Sequence, residues 1–537
     1  MSLSHEIRSW LWCFAIFALR VWYVFESAMF SVLNTLFATR STVPQVTDPL
    51  LLHNAGKLAK MIRNREVSSE AVVLSYIDRI QQVNPVINAV VQSNFDDALR
   101  AAKEIDSALA QNDSSNAHQL LANKPLLGVP FTLKDCIFVK NLICTGGTYA
   151  RRHKRMDTNA TVVERMQSAG AIVLAVTNVS EACMWWESNN TVYGRTNNPY
   201  DTRRIVGGSS GGEGALLAAA GSVIGIGSDI GGSLRMPAFF NGVFTHKVSP
   251  GFIPHIESIT PECFGYHHQM HTIGPMCRYY DDLVPMLNVL IDADKLPKLN
   301  LDKPVSVSSL RFFYMEEIKT PATSHVTADI RRSLRKVVHY IERRHDIVCH
   351  RVDLPLVHAA LSLWLNDMTD VPSDAPKFCE ELLDREGHLN PWTELVRWAC
   401  GRSNHTFPAL ALGCIERVDE YLINAQQSTK IRAARERLER ALDNLLGDNG
   451  VLLMPSHPTT APYHYQPIFQ PFNAVYTALF NSIRLPVTQC PLGLAASDGM
   501  PTGIQVIANR EHDRLCLAVA GELNNAFGGW RMPNAAY

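Results

Sequence analysis

The chain has 537 residues, 46% of them hydrophobic and 19% charged, with 50 basic side chains against 51 acidic ones. A hydrophobic share of this size belongs to a chain with a large buried core, which excludes general disorder. Balanced charge offers no basic field for holding nucleic acid, and a mean hydropathy near zero excludes a multi-pass membrane protein. Length alone suggests about three or four average domains, although large α/β enzymes often use such a length as one.

The first element in chain order is apolar. Trp10 to Phe37 would reach about 42 Å as a helix, against a hydrocarbon core of about 30 Å, and only Arg20 and Glu26 in it are charged. The run predicts a membrane anchor over residues 1–40, single-pass or monotopic. A cleaved signal peptide fits less well, because cleavage after Ala28 would place Glu26 at the −3 position. Arg8 before the run is matched by Arg40 after it, so orientation stays open. Residues 41–50 read as a polar linker, and residues 51–537 show no strong internal boundary.

Residues 51–110 read as helical, with Leu74, Ile77, Ile80 and Val83 on one face and Asn84-Pro85 as a stop; a second helix is predicted from Phe95 through Ala110. Pro125 to Val139 reads as a turn and a buried strand. Ala171 to Thr177 is a β-branched run of the kind found in buried parallel strands, with a helix over 164–170 before it. Residues 320–345 and 415–446 suggest long amphipathic helices, and Val451 to Met454 another buried strand. Such alternation predicts an α/β fold. The twelve cysteines show neither CxxC pairs nor zinc spacing, so free core thiols are expected and no metal site is indicated. Sequons at Asn112, Asn159, Asn178, Asn189 and Asn404 are too few to establish glycosylation in a chain this long.

The densest chemical signal lies between Gly207 and Arg235. Its glycines imply backbone positions with φ > 0 or a close approach to a ligand. No Lys follows either glycine run, as a P-loop requires, and the spacing is wrong for a dinucleotide fingerprint. Gly207-Gly208-Ser209-Ser210-Gly211 fits the nucleophile elbow G-x-S-x-G, in either serine register, which would call for a downstream acid and histidine. A third reading joins the stretch to Lys134, at the end of an apolar strand. A buried lysine has its pKa lowered toward the range useful to a base. Ser233 follows Ile230-Gly231-Gly232, whose backbone N–H groups could converge on one oxygen as an oxyanion hole. Ser209 could pass the proton between them.

Pro125–Asp135 with Lys134, Gly207–Ala215 with Ser209, and Asp229–Pro237 with Ser233 together resemble the amidase signature family. Gly194–Tyr200, Gly274-Pro275-Met276 and Gly503-Ile504-Gln505 extend the resemblance over roughly residues 50–537. It implies an amidase-signature α/β fold, with a mixed, twisted central sheet covered by helices on both faces, and neither metal nor cofactor. It also implies a Ser–Ser–Lys triad. Ser233 is then the acyl-forming nucleophile, Ser209 the bridging serine at a non-proline cis peptide, and Lys134 the terminal base. Ile230, Gly231, Gly232 and Ser233 match the oxyanion-hole backbone, and Ser210, Ser228, Asp229 and Arg235 the supporting residues.

The apolar N-terminus makes the chain most similar, within that family, to its membrane-anchored fatty-acid amide hydrolases of type 2. Residues 360–425, with Trp364, Trp392, Trp398 and Phe407, are candidates for an acyl channel or for plain core. The expected substrates are fatty-acid amides, namely N-acylethanolamines and primary amides, met at an endomembrane or lipid-droplet surface. Nucleic acid is not an expected partner, and a homodimer is compatible with the sequence. The alternatives are an amidase for short or non-lipid amides (including glutamine), an α/β-hydrolase using Ser209 or Ser210, and a non-catalytic lipid-binding scaffold.

Overall fold

Strand-forming runs recur from residue 90 to residue 508, and in the computed structural model they meet in one sheet. The described residues are 2–111, 123–255, 258, 266–320, 322–370, 372, 375–422 and 425–534, with side chains described outside 2–17, 419–422 and 425–426. The sequon Asn112 and Cys263 therefore lie outside the described residues. In chain order the strands are β1 (Val90–Ser93), β2 (Pro130–Lys134), β3 (Ile172–Thr177), β4 (Asn189–Asn190), β5 (Gly194–Arg195), β6 (Ile224–Asp229) and β7 (Phe244–Lys247). There follow β8 (Thr272–Cys277), β9 (Arg311–Tyr314), β10 (Cys349–Arg351), β11 (Gly450–Met454), β12 (Val487–Leu494) and β13 (Pro501–Ala508). Among the described residues β4 and β5 pair alone, and the other eleven form one sheet in the order β1-β3-β2-β6-β8-β7-β12-β13-β11-β9-β10.

The sheet is mixed. β2 runs parallel to both β3 and β6, whereas β6 runs antiparallel to β8. β2, β3 and β6 are buried along their whole lengths, as expected of strands with helices over both faces. Being parallel, β2 and β6 end side by side, and β6 carries the chain into the turn Ile230-Gly231-Gly232-Ser233.

The helix Gly211–Ala218, which follows Ser209 and Ser210, is fastened across two of these strands by one buried carboxylate. Glu213 accepts hydrogen bonds from Thr132 of β2 and from Thr177 of β3, the latter at 2.9 Å. The contact needs a bare backbone on the neighbouring strand, since a Cβ at Gly225 of β6 would sit 1.7 Å from Glu213 Oε1. The sequence offered this residue only as part of the motif GGEG, without a partner.

Two local expectations are corrected. The helix Ser69–Ile87 runs through Pro85 to a left-handed cap at Asn88. Pro85 forfeits a single N–H bond near the end, and the Asn84 side chain accepts the Ala89 and Val90 N–H groups at 2.8 Å each, closing the end. Leu74 is exposed, while Ile77, Ile80 and Val83 are buried as the periodicity required.

The N-terminal run, expected as a membrane anchor, packs against the sheet domain. One helix does span Ser2–Phe37, but among the described residues no helix is long and apolar enough to cross a membrane. A membrane-spanning helix is therefore not supported. The helix instead turns its polar groups to the sheet domain: Tyr23 Oη donates to Ala322 O at 2.8 Å, and the buried Glu26 accepts from Gln470 Nε2 at 2.6 Å. Val24, Phe25, Leu36 and Phe37 face outward.

Burial lifts the Glu213 carboxyl to about 7, against the pull of its two threonine bonds. The folded chain thus binds this proton more tightly than the unfolded one. Its contribution to stability is complete below about pH 4.5 and is lost as pH rises through about 7. Glu213→Gln, which keeps an acceptor for a threonine, should flatten that part of the Tm–pH curve. Melting curves across pH 4 to 8 check this, and an unaltered slope would show that other groups set it.

Candidate active site

The C-terminal ends of the parallel strands β2 and β6 bring three separated sequence stretches together. In α/β sheets such strand ends are where ligands bind, because the loops leaving them open outward. Lys134 is the last residue of β2 and Asp229 the last of β6. Ser233 lies in the turn between β6 and the helix Arg235–Asn241, and Ser209 in the turn that leads into Gly211–Ala218. The Gly208–Ser209 peptide is cis.

Lys134 is 1% exposed. Its Nζ donates to Ser209 Oγ at 2.6 Å and to Ser228 Oγ at 2.8 Å. Among the described residues no carboxylate pairs with it, so a surface or ion-paired lysine is not what this position holds. Ser210 N–H donates to Ser233 O at 3.2 Å and ties the two serine loops together. No hydrogen bond joins Ser209 Oγ directly to Ser233 Oγ. Catalytic hydrogen bonds of this kind are commonly loose until substrate binds.

Asp229 organises the turn before Ser233. Its carboxylate accepts Gly232 N–H (2.7 Å), Leu234 N–H (3.1 Å), Arg235 Nε and Nη2 (3.0 Å each) and Asn481 Nδ2 (2.9 Å). Burial opposes ionisation here, but the Arg235 charge and these donors outweigh it and hold the carboxyl well below the usual range. Gly232 N–H is committed to Asp229, which leaves the N–H groups of Ile230, Gly231 and Ser233 as the candidates for an oxyanion hole.

Peptide planarity then aims two of them. In a trans unit the N–H points opposite to the preceding carbonyl. Trp364 Nε1 holds Ile230 O at 3.1 Å, which directs Gly231 N–H, and Met236 N holds Gly232 O at 2.8 Å, which directs Ser233 N–H. Between them Thr477 Oγ1 grips Gly231 O at 2.9 Å. Gly232 has φ +124, and a Cβ there would lie 2.0 Å from Thr477 Oγ1, so glycine is required on both counts.

The structure thus brings Lys134, Ser209, Ser210, Ser228, Asp229, Ser233 and Arg235 into one buried cluster. Ser228, expected only as a support, contacts Lys134 directly. Of the four aromatic channel candidates Trp364 reaches the site, whereas Trp392 and Trp398 are exposed and Phe407 packs on Trp398 at 5.1 Å between ring centroids. Among the described residues no histidine hydrogen-bonds Ser209, Ser210 or Ser233. His271, whose ring burial drives down to about 3, is a buried histidine electrostatically coupled to both Lys134 and Asp229. Three participants were not visible in the sequence. Thr477 and Asn481 sit on the helix Val475–Ser482 in no recognisable motif, and Cys136, read as a core thiol, lies 3.8 Å from Ser228 Oγ.

Comparisons with known proteins identify the family and the fold. The family model described as Amidase matches residues 71–517. Human fatty-acid amide hydrolase 2 is 44% identical over 502 residues, 93% of each chain. The Danio rerio protein fatty-acid amide hydrolase 2-A is 43% identical over 501 residues, 92% of each. Among solved structures, one of a fatty acid amide hydrolase aligns with a TM-score of 0.70 at 20% identity, over 93% of this chain and 89% of that one. A bacterial aryl acylamidase of the amidase signature family aligns at 0.69 and 21% identity, over 89% and 97%. At those identities the structural matches show a common fold.

Removing Arg235 would leave the Asp229 charge buried without its counter-ion. Arg235→Met should therefore lower stability by about 3–5 kcal/mol, as breaking one side of a buried pair does. Urea unfolding midpoints of the two proteins measure it, and a loss under about 1 kcal/mol would mean that the remaining donors suffice.

Proposed function

The chain belongs to the amidase signature family, and on that premise we propose that it hydrolyses fatty-acid amides, N-acylethanolamines and primary amides alike, to the free acid and amine or ammonia. The observation that carries the reading is a buried lysine bonded to two serine hydroxyls and to no acid, beside a third serine in a glycine turn. The substrate class rests on relatives named fatty-acid amide hydrolase 2 at 43–44% identity.

In the proposed mechanism Ser233 Oγ attacks the amide carbonyl while its proton passes to Ser209 and the Ser209 proton to Lys134. The carbonyl oxygen takes the negative charge and is held by the Ile230, Gly231 and Ser233 N–H groups; one such donor is worth about 10²–10³ in kcat. Lys134 returns a proton through Ser209 to the departing nitrogen, the C–N bond breaks, and an ester to Ser233 remains. Water, deprotonated along the same path, releases the acid. Ser210 and Ser228 keep the relay hydroxyls in place, and Asp229 with Arg235 shapes the turn.

Residues 51–537 form the catalytic unit in this reading, and the N-terminal helix lies against it and meets lipid with its outward apolar side chains. A cavity of about 360 Å³ between Trp185, Trp398, Phe407, Tyr465 and Ile468 adjoins the Gly208 loop, which Trp185 O abuts, and suits part of an acyl chain. Phe469, next to Ile468, stacks on Trp22 and Phe30 of the helix at 6.2 and 5.6 Å.

A fluorophosphonate should label Ser233, with labelling lost in Ser233→Ala; label found on Ser209 or Ser210 would favour the elbow mechanism instead. Lys134→Ala should slow acylation by at least about 10²-fold, the usual share of a general base. Burst kinetics on a chain-length series of acyl amides measure this. A rate equal to wild type would make the lysine structural, and turnover confined to short amides would move the substrate class.

A further inference from the structure

The N-terminal helix is joined to the catalytic turn by a continuous run of buried side chains. Glu26 Oε2 accepts from Gln470 Nε2 at 2.6 Å, and Gln470 Oε1 accepts from Asn473 Nδ2 at 2.9 Å. Asn473 also donates to Ser324 Oγ at 3.0 Å and accepts Ser324 N–H at 2.9 Å, while Tyr23 holds Ala322 O two residues earlier. The contacts made by Tyr23 and by Glu26 thus both lead to the segment around Asn473. The helix Val475–Ser482 begins two residues later, and its Thr477 donates from Oγ1 to Gly231 O at 2.9 Å. Arg235 Nη1 holds the Thr477 carbonyl from the other side at 2.9 Å.

We propose that Glu26 is a positioning residue for the catalytic turn: it fixes Gln470, Gln470 fixes Asn473, and the segment 470–477 so held sets where the Thr477 hydroxyl pins Gly231. The inference rests on the reading of Ser233 as nucleophile. Its physical basis is that Gly231 and Gly232 have little backbone preference of their own, so an external grip decides their dihedrals. Gly231 O sits between the two peptide units whose N–H groups face the reacting oxygen, and a displacement of about 1 Å at such a point can cost about 10²-fold in rate. The partners of Glu26 are amides and a hydroxyl, with no cation among the described residues. Burial raises its carboxyl above the usual range, and glutamine, which resembles a protonated glutamate, is the conservative replacement.

The test uses the full-length chain in detergent micelles and a water-soluble short-chain acyl anilide, so that delivery from lipid plays no part. Glu26→Ala is expected to lower kcat about tenfold with KM within about twofold, and to slow fluorophosphonate labelling of Ser233 in proportion. Glu26→Gln should restore kcat to within about twofold of wild type, because its Oε1 still accepts from Gln470. Gln470→Met breaks the same chain one link further in and keeps the side-chain volume. It should reproduce the loss, and the double variant should be no slower than either single one, as for residues acting through one path. A cooperatively melting Glu26→Ala protein with wild-type kcat overturns the proposal. So does a loss confined to KM, or additive losses in the double variant. Should Glu26→Ala not fold, Gln470→Met alone decides, with the same two outcomes. Wild-type protein unlabelled at Ser233 would instead refute the proposed mechanism, which keeps the two failures apart.

Discussion

A lysine buried at the end of a central strand, with no acid beside it, is the constraint around which the rest is built. Taking a basic side chain out of water is costly even after the protein relaxes, and most folds cancel the cost with a carboxylate. Here the two partners are the hydroxyls of Ser209 and Ser228. A carboxylate would hold the proton that a base must accept and release, whereas hydroxyls satisfy the amine without competing for it. Lys134 therefore has to be supported by geometry, and the geometry comes from strands β2 and β6 ending side by side and from a helix stapled across β2 and β3 by Glu213.

The negative charge that such a site requires is placed one turn away. Asp229 is committed to Arg235, to Asn481 and to two backbone N–H groups. It acts on the shape of the Ser233 turn and not on the base. In the proposed mechanism this separates two roles, one carboxylate for the shape of the turn and one lysine for proton transfer. Two of the proposed oxyanion donors, Gly231 and Ser233 N–H, follow the same logic, aimed by a bond to the carbonyl on the opposite side of the peptide plane.

Much of this was legible in the sequence, and the limits have physical reasons. Lys134, Ser209 and Ser233 stood out because glycine-rich turns and a basic residue closing an apolar strand are both rare, and their order matched a family pattern. β3 was readable from its β-branched run, and the helix Phe95–Ala110 from its alanines and alternating charges. Thr477, Asn481 and Gln470 were not readable, because a polar side chain that pins a backbone from another element leaves no periodic trace. Pro85 misled because its effect depends on distance from the helix end, which periodicity does not give. The N-terminal run shows a related limit: its average apolarity is the same whether Glu26 faces lipid or a pair of glutamines.

That last distinction reaches beyond the helix itself. An anchor connected through a flexible linker would let the catalytic body tumble above a surface at any angle. A helix bolted to the body through Tyr23 and Glu26, 299 and 444 residues from their partners in the chain, has no such freedom. If the outward side chains rest on lipid, as proposed, that surface is held at one distance and one tilt from Ser233, and the helix would act as a mount that fixes the angle of approach.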